Sequence, residues 1–514
     1  MNSNGNSSVI AGLDLGTYSS TLAMLDENGI AVAMKNKEGQ EATRSAVAFP
    51  PGASPVIGQE ALNTALLFPD SLAREMKLHI GEQDSQGNDV AMVMDSDGKP
   101  KTAAQVQGIV ARKLIEDANA QIPRPITDLV ITVPANYGDR ERKALLGIEP
   151  QLGCHILALI EEPVAAACTF INTVKPPDGN YLEFDMGSGT TDLAVLEIAN
   201  SNPRIHVAKG RGSLGGRRCD MALIEVISRN GKDKGIDIAA VQDTATLHEF
   251  HEKVERAKIT LTQSEKALFY MNFEGKILKT DLPRKDFEAA CAPILAEIKD
   301  LVRETLDAAK LTAPEFKGIL LNGPSCLMPM ILALLDELFP GVPIRRDTNP
   351  ITAVAQGAAL MGAKYVQQDG KQALSNVGKP VHALDSIATV RAVATHGLGL
   401  KCLLNGNKAK PVFAAIIPSG APLPVLKSDV FGLVSASQTV ADVEVFQGED
   451  GMPIEQCVPV ATVRLEGIPP GNTDDMRIIV QYSYNRSGIV EVTITDKISK
   501  KTVSSNITHD MGNV

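Results

Sequence analysis

Apolar positions along the chain follow two rhythms, and the changes between them mark its elements. Alternating or unbroken apolar runs over Val9–Leu15, Thr21–Leu25, Ile30–Met34 and Ala46–Phe49 predict strands, with Asn28-Gly29 as a hairpin turn. From Ala61 the spacing becomes helical and continues through Ser71–Leu78, which carries Lys77. Residues 102–120 predict an amphipathic helix, Leu129–Val133 a strand, and the charged segment from Asp139 another helix. The apolar run beginning at Ile156 ends in Glu161-Glu162-Pro163 and opens an alanine-rich helix with proline in its first turn. Further helices are predicted after Gly210–Gly216, over His251–Ala267 and over residues 286–310. Lys317–Met330 repeats a strand, glycine turn and helix, and Arg345–Ala363 closes this part with a helix of small residues.

The rhythm then changes for good. Between Tyr365 and Asp385 the composition turns to Gln, Gly, Lys, Ser and Asn, a boundary signal. Residues 387–514 hold little helical periodicity. Short β-type runs replace it at Val430–Val434, Val440–Phe446, Ala461–Leu465, Ile478–Tyr484 and Ile489–Thr495. The division predicted is therefore an α/β domain over residues 1–365, a linker over 366–386 and an all-β sandwich over 387–514.

Composition narrows the function classes. A chain of 514 residues with a formal charge of −11 is a poor general binder of nucleic acid or anionic membrane. It has no Trp and only 4% aromatic residues, so it offers little for stacking on single strands. No apolar run reaches membrane-spanning length, and MNSNGNSSV lacks the basic end and apolar segment of a signal peptide, so a cytoplasmic location is expected. The seven cysteines are dispersed without metal-binding spacing, which suits reduced, buried thiols.

Candidate chemistry starts at Tyr181–Ile198, YLEFDMGSGTTDLAVLEI, which reads as a hairpin with a Gly187-Ser188-Gly189-Thr190-Thr191 tip. Glycines let backbone N–H groups form a nest for an anion, Ser and Thr add hydroxyls, and Asp185 at the strand end suits a hydrated cation. A lone turn of this kind is most often only a turn. This one is duplicated: Gly12–Leu25 aligns on Glu183–Leu196 without gaps, matching Asp14 to Asp185, Gly16 to Gly187 and Ser19 to Thr190. Two facing hairpins of this kind would clamp a polyphosphate and its metal. Glu162, at a strand's carboxyl end, is placed either for a metal shell or simply for the dipole of the helix it opens. Glu255, Lys258 and Thr262 share one helix face, which either receives a nucleoside or is a solvated charged stripe.

Assembled, these segments resemble the DnaK-type seventy-kilodalton heat-shock chaperones over about residues 9–500. The resemblance rests on IAGLDLGTYSS, LVITVPANYGDRERKA, LIEEPVAAA, FDMGSGTTDL, GSLGGRRCD, ERAKITLT, DTNPITAVAQGAA and FQGED. It implies an actin-like two-lobed nucleotide-binding domain with ATP or ADP and Mg2+ in its cleft, followed by a β sandwich that takes extended apolar peptide segments. Gly16, Thr17, Tyr18 and Ser19 of the first hairpin, and Gly187, Ser188, Gly189 and Thr190 of the second, would hold phosphates, with Gly215, Gly216 and Gly323 nearby. Asp14, Glu162 and Asp185 would surround magnesium through its waters. Lys77, Glu162, Thr190 and Asp192 would serve slow hydrolysis, and Glu255, Lys258 and Thr262 the nucleoside. Pro134 and Arg142 match a relay between domains, and Leu400, Leu403, Phe431, Ala441 and Val443 match a peptide groove. The partners implied are unfolded or extended peptides, a J-domain co-chaperone and a nucleotide exchange factor, without nucleic acid or membrane.

Departures from the family pattern are equally specific. The arginine that would stack on adenine is Cys326, within Asn322-Gly323-Pro324-Ser325-Cys326, and the acid expected after Gly215-Gly216 is Arg217. Ile351 and Thr352 stand where acids are usual after Asn349-Pro350. The linker Ser386–Ala392 is less apolar than usual, the loop Leu403–Pro411 is longer, and the stop at Val514, soon after the last expected strands, predicts a member lacking the helical lid. Beside the chaperone reading stand a nucleotide-dependent adaptor or sensor for one partner and, third, an actin-like small-molecule kinase.

Overall fold

The structure is a computed structural model and describes residues 7–135, 137–199, 202–273, 275–382, 384–388, 394, 397–403, 411–418, 421–448, 451–473 and 475–507. Chain contacts divide it into two compact units. The first comprises Met1–Ala135, Ala144–Leu157 and Glu161–Val390, and the second Asn136–Lys143, Ala158–Ile160 and Arg391–Val514.

Two sheets of matching design form the frame of the first unit. In one, Ser7–Leu15 pairs antiparallel with Ser19–Leu25 and parallel with Asp128–Val133. In the other, Gly179–Met186 pairs antiparallel with Thr190–Ala199 and parallel with Phe316–Asn322. The duplication reaches individual rungs, for Asp14 faces Thr21 across its hairpin and Asp185 faces Asp192 across the other. Strict alternation sends side chains to both faces of the second sheet. Leu193 and Val195 enter a core with Leu223, Val254, Ile298 and Ile319, whereas Ala194 and Leu196 pack with Phe170, Tyr181 and Leu320. Each such fully buried side chain contributes roughly 1.5–3 kcal/mol.

The helix Ala353–Gln368 owes its small residues to crowding. A Cβ on Gly357 would lie 1.7 Å from the carbonyl oxygen of Ala165 in the helix Glu162–Val174, so the two backbones meet there without side chains between them.

Several elements differ from the sequence pattern. The helix predicted from Ala61 covers only Gln59–Thr64; Pro69 then biases Phe68 away from helical angles, and Leu72–Arg74 is a strand. Lys77 lies instead on a 3-10 turn, Met76–His79, entered through Glu75 at a left-handed φ of 61°. The helix predicted over residues 286–310 is two, Arg284–Ala290 and Ala292–Ala309, with Pro293 in the first turn of the second. In the stretch of linker composition, the preceding helix runs on to Gln368 and Gln372–Leu374 adds a parallel strand beside Ser7–Leu15.

Among the described residues, two four-stranded sheets build the second unit. Their orders are Pro411–Ile417, Gly397–Leu403, Val440–Gly448, Val458–Glu466, and Val425–Phe431, Ile478–Tyr484, Val490–Asp496, Thr502–Ile507. Inward positions such as Val443, Val445, Val480, Val492 and Ile494 share one core. The strand predicted at Val430–Val434 lies earlier, at Val425–Phe431. The long loop read between Leu403 and Pro411 falls on residues 404–410, outside the described residues, as do residues 389–392 of the linker and Glu449-Asp450 of FQGED.

Candidate functional site

Both hairpin tips are shaped by backbone crowding that excludes side chains. A Cβ on Gly16 would stand 2.2 Å from the carbonyl oxygen of Ser19. In the second tip, the N–H of Gly187 donates to the carbonyl of Thr190 at 3.1 Å. The Gly215-Gly216 turn lies directly on this tip. Gly216 N–H donates to Gly187 O at 3.0 Å, Arg217 N–H donates to Ser188 O at 2.8 Å, and a Cβ on Gly215 would come within 2.4 Å of Ser188 O. Gly323, at φ 74°, is pinned by its N–H to Pro350 O at 3.0 Å, with Met186 O at 2.4 Å from where a Cβ would be.

Between the tips is a cavity of about 70 Å3. Gly16, Thr17, Tyr18 and Ser19 line it from the first hairpin, Gly187, Ser188 and Thr190 from the second, and Gly323 from its turn. Asp14, Lys77, Glu162 and Asp185 also line it, and Pro324, Pro350, Ile351 and Val354 complete the lining. Gly189 stands just outside, where a Cβ would meet Leu78 at 2.9 Å and Thr17 at 3.3 Å. Residues from separate stretches of sequence thus converge on one small polar space.

Its electrostatics are dominated by carboxylates. Lys77 Nζ donates to Glu162 Oε1 at 2.5 Å, and Thr132 Oγ1 donates to Asp14 Oδ1 at 3.3 Å. Burial pushes Asp14 up to about 6, opposed by the positive charge of Lys77 and assisted by Glu162. Asp192 rises to about 7, through burial and then the charge of Glu162, against the hydrogen bond from Thr190. Asp185 is held well above the usual carboxylate range by burial and by the neighbouring acids Glu162, Asp192 and Asp14. A cation would stabilise all three in their charged forms.

The donor set fits magnesium in a particular way. Among the described residues, no group of three or more His, Cys, Asp or Glu converges tightly enough to hold a metal ion directly. Carboxylates spaced around a polar cavity instead suit the waters of a hydrated Mg2+, which dehydrates reluctantly and keeps several waters. Asp14, Glu162 and Asp185 would hold that shell, and the bound ion would neutralise phosphate charge.

Sequence reasoning missed Glu183. It is buried, accepts from Asn322 Nδ2 at 2.6 Å, and has its other carboxylate oxygen buried without a hydrogen-bond partner. Burial and the charge of Asp185 raise its pKa well above the ordinary value. The available signal was its spacing, two residues before Asp185 and hence on the same face of the strand.

A second cavity, of about 390 Å3, shares Thr17, Tyr18 and Ser188 with the first. Arg44, Arg217, Asp220 and Glu255 line it. Arg44, also absent from the sequence reading, donates from Nη1 and Nη2 to the two oxygens of Glu255 at 2.8 and 3.1 Å and lies 3.6 Å from the centroid of the Tyr18 ring. On the same helix as Glu255, Lys258 Nζ donates to Asp220 Oδ2 at 2.7 Å and to Gly216 O at 3.2 Å, and the Thr262 hydroxyl donates to Lys258 O at 3.2 Å. Of that stripe, Glu255 alone borders either cavity.

The remaining sequence candidates do not line these cavities. Pro134 is buried at the end of Asp128–Val133. Within the second unit, Arg142 donates from Nε to Tyr137 O at 3.0 Å and from Nη1 to Ser487 O at 3.1 Å. Leu400, Ala441 and Val443 are buried in the core of that unit, and Phe431 packs against it. Leu403 ends its strand, and its side chain is outside the described residues.

Comparison with known proteins places this geometry in context. The model of the family described as Hsp70 protein matches residues 10–513. The chain is 29% identical over 519 residues to the chaperone protein DnaK of Thermus thermophilus, covering 96% of this chain and 80% of that protein. It is 30% identical over 523 residues to the chloroplastic heat shock 70 kDa protein 7 of Arabidopsis thaliana, covering 97% and 69%.

Proposed function

The chain belongs to the Hsp70 protein family, and from that premise we propose that it is a chaperone-type ATPase that binds Mg2+–ATP between its two hairpins and hydrolyses it slowly. The observation that carries this reading is the convergence of both glycine tips, Lys77 and the carboxylates Asp14, Glu162 and Asp185 on one cavity. Hydrolysis of a phosphoanhydride requires little beyond positioning and charge neutralisation. The backbone N–H groups of the tips would orient the phosphates. Lys77 would meet the terminal phosphate once that group draws it from Glu162, and Glu162 with Thr190 would hold the attacking water. Asp192, hydrogen-bonded to Thr190, would keep that hydroxyl aimed. In this reading the protein is cytoplasmic, its β-rich second unit holds apolar peptide segments, and a J-domain co-chaperone and an exchange factor act on the cycle. Among the described residues, no helix is long and apolar enough to cross a membrane.

Turnover measurements test the enzymatic part. Wild type should hydrolyse ATP, whereas Lys77→Ala, Glu162→Ala and Thr190→Ala should each be slower by about 10²–10³-fold. Equal rates in all four would remove it.

A second reading draws on one observation. Leu400, Ala441 and Val443, the residues matched to a peptide groove, are occupied as core, which favours a nucleotide-dependent adaptor for one protein partner. Peptide arrays separate the two: binding to many apolar heptamers supports the chaperone, and silence on all of them supports the adaptor.

A further inference from the structure

The turn that carries Lys77, Met76–His79, is entered through Glu75 at φ 61° and ψ 22°, a left-handed conformation disfavoured for a residue with a Cβ. Glycine would sit there without strain. The glutamate side chain does not cap the turn either. Its carboxylate meets a different part of the chain, where Arg217 Nη1 donates to Glu75 Oε2 at 2.6 Å.

Arg217 is fixed at its own base. It stands in the first turn of the helix Gly216–Lys232, and its N–H donates to Ser188 O in the second hairpin tip at 2.8 Å. Its side chain therefore runs from that tip to the turn of Lys77. By its chain neighbours the turn belongs with the first hairpin, since it follows Leu72–Arg74, which pairs with Ala46–Ala48, and Ser45 N–H donates to Tyr18 O at 2.8 Å. Leu78 lies against the second tip as well, for a Cβ on Gly189 would stand 2.9 Å from Leu78 Cδ2. Lys77 is thus tethered to the second tip on both sides, through residues 75 and 78. Neither Arg217 nor Glu75 lines the smaller cavity, so the pair bears on the phosphates only through the lysine.

We propose that Arg217 and Glu75 form a strut that holds the left-handed turn and so sets Lys77 on the terminal phosphate, making Arg217 a positioning residue for hydrolysis that acts through Glu75. This inference rests on the nucleotide reading above. The two side chains are 56% and 25% exposed, and such a pair adds little to stability. Its effect is on placement, where an error of about 1 Å can cost about 10²-fold in rate. ADP lacks the terminal phosphate, so the strut governs ATP turnover and leaves ADP binding alone.

Turnover at saturating ATP and isothermal titration with ADP, both on the full chain in Mg2+, test it across wild type, Arg217→Ala, Glu75→Ala, the double variant and Arg217→Lys. Glu75→Ala keeps a Cβ in the left-handed position and removes only the strut. Each alanine variant should lower kcat by about tenfold. The double variant should fall below the singles by no more than about twofold, because the two residues act as one unit. Arg217→Lys should recover kcat to within about threefold of wild type, and ADP should bind all five proteins within about twofold. Undiminished kcat in either single variant, losses that multiply in the double variant, no recovery with lysine, or ADP binding weakened in step with kcat would overturn the strut and leave the nucleotide reading standing. A wild type that neither turns over ATP nor binds ADP would overturn both.

Discussion

Arg477 with Asp496 in the second unit and the carboxylates of the cleft in the first both bury charge, and they resolve it in opposite ways. Arg477 donates from Nε and Nη2 to the two oxygens of Asp496 at 2.7 and 2.8 Å and from Nη1 to Pro469 O at 3.1 Å. Asp496 also accepts from the backbone of Ile498 and from both the backbone and hydroxyl of Ser499. The Arg477 bonds and these others hold its carboxyl far below the usual range. Nothing there waits for a ligand. In the cleft, Asp14, Asp185 and Asp192 are pushed upward, and one oxygen of Glu183 is buried without a hydrogen-bond partner. A satisfied buried pair serves the fold, whereas an under-compensated cluster of carboxylates is suited to a cation.

The largest effect that would break this comparison lies in the second unit. Asp496→Ala should destabilise it by about 3–5 kcal/mol in urea unfolding, because the Arg477 charge is left buried and unpaired. The double variant Arg477→Met, Asp496→Leu should recover most of that loss, and a double variant as unstable as the single one would show that the pair does more than satisfy itself. In the cleft, Glu162→Gln should lower ATP turnover by about 10²-fold while leaving the unliganded melting temperature unchanged or higher, since it removes one charge from a repelling cluster.

The pH dependence separates the two regions by sign. The folded cleft keeps protons that the unfolded chain releases, so its contribution is greatest below the ordinary carboxylate range and is lost as pH rises towards 7. The depressed Asp496 contributes above its unfolded value and loses that contribution as acid protonates it. Between about pH 5 and pH 8, therefore, Asp496 is silent and the metal-free protein should lose on the order of 4 kcal/mol, an effect Mg2+ with ATP suppresses. Melting curves across that range check it. Smallest of all, Lys401→Ala, which removes an exposed pair with Glu444 at 3.0 Å, should shift stability by less than about 0.5 kcal/mol.

Much of this was legible in the sequence, for physical reasons that stop at identifiable places. The hairpins showed because period-two patterning and glycine tips are local signals, and because Asp14 and Asp185 recur in register. The glycine seam at Gly357 showed as a helix of small residues. What stayed hidden depends on partners far apart in the chain. Arg44 meets Glu255 across 211 residues, and Asn322 meets Glu183 across 139, with no local pattern to announce either. The break at Cys291 and the 3-10 turn carrying Lys77 were overrun by an apolar rhythm compatible with a continuous helix, although Pro293 and Pro69 stood nearby as punctuation.

In the proposed reading the cleft is an unfinished charge site, completed by a metal-bound polyphosphate. Its most direct test is the melting temperature of the full chain at neutral pH with ATP, in Mg2+ and in chelator. At ATP about 100-fold above its dissociation constant, Mg2+–ATP should add about 2.7 kcal/mol and raise the melting temperature by several degrees, with little change in chelator. The same shift with and without Mg2+, or no shift in either, would contradict the account.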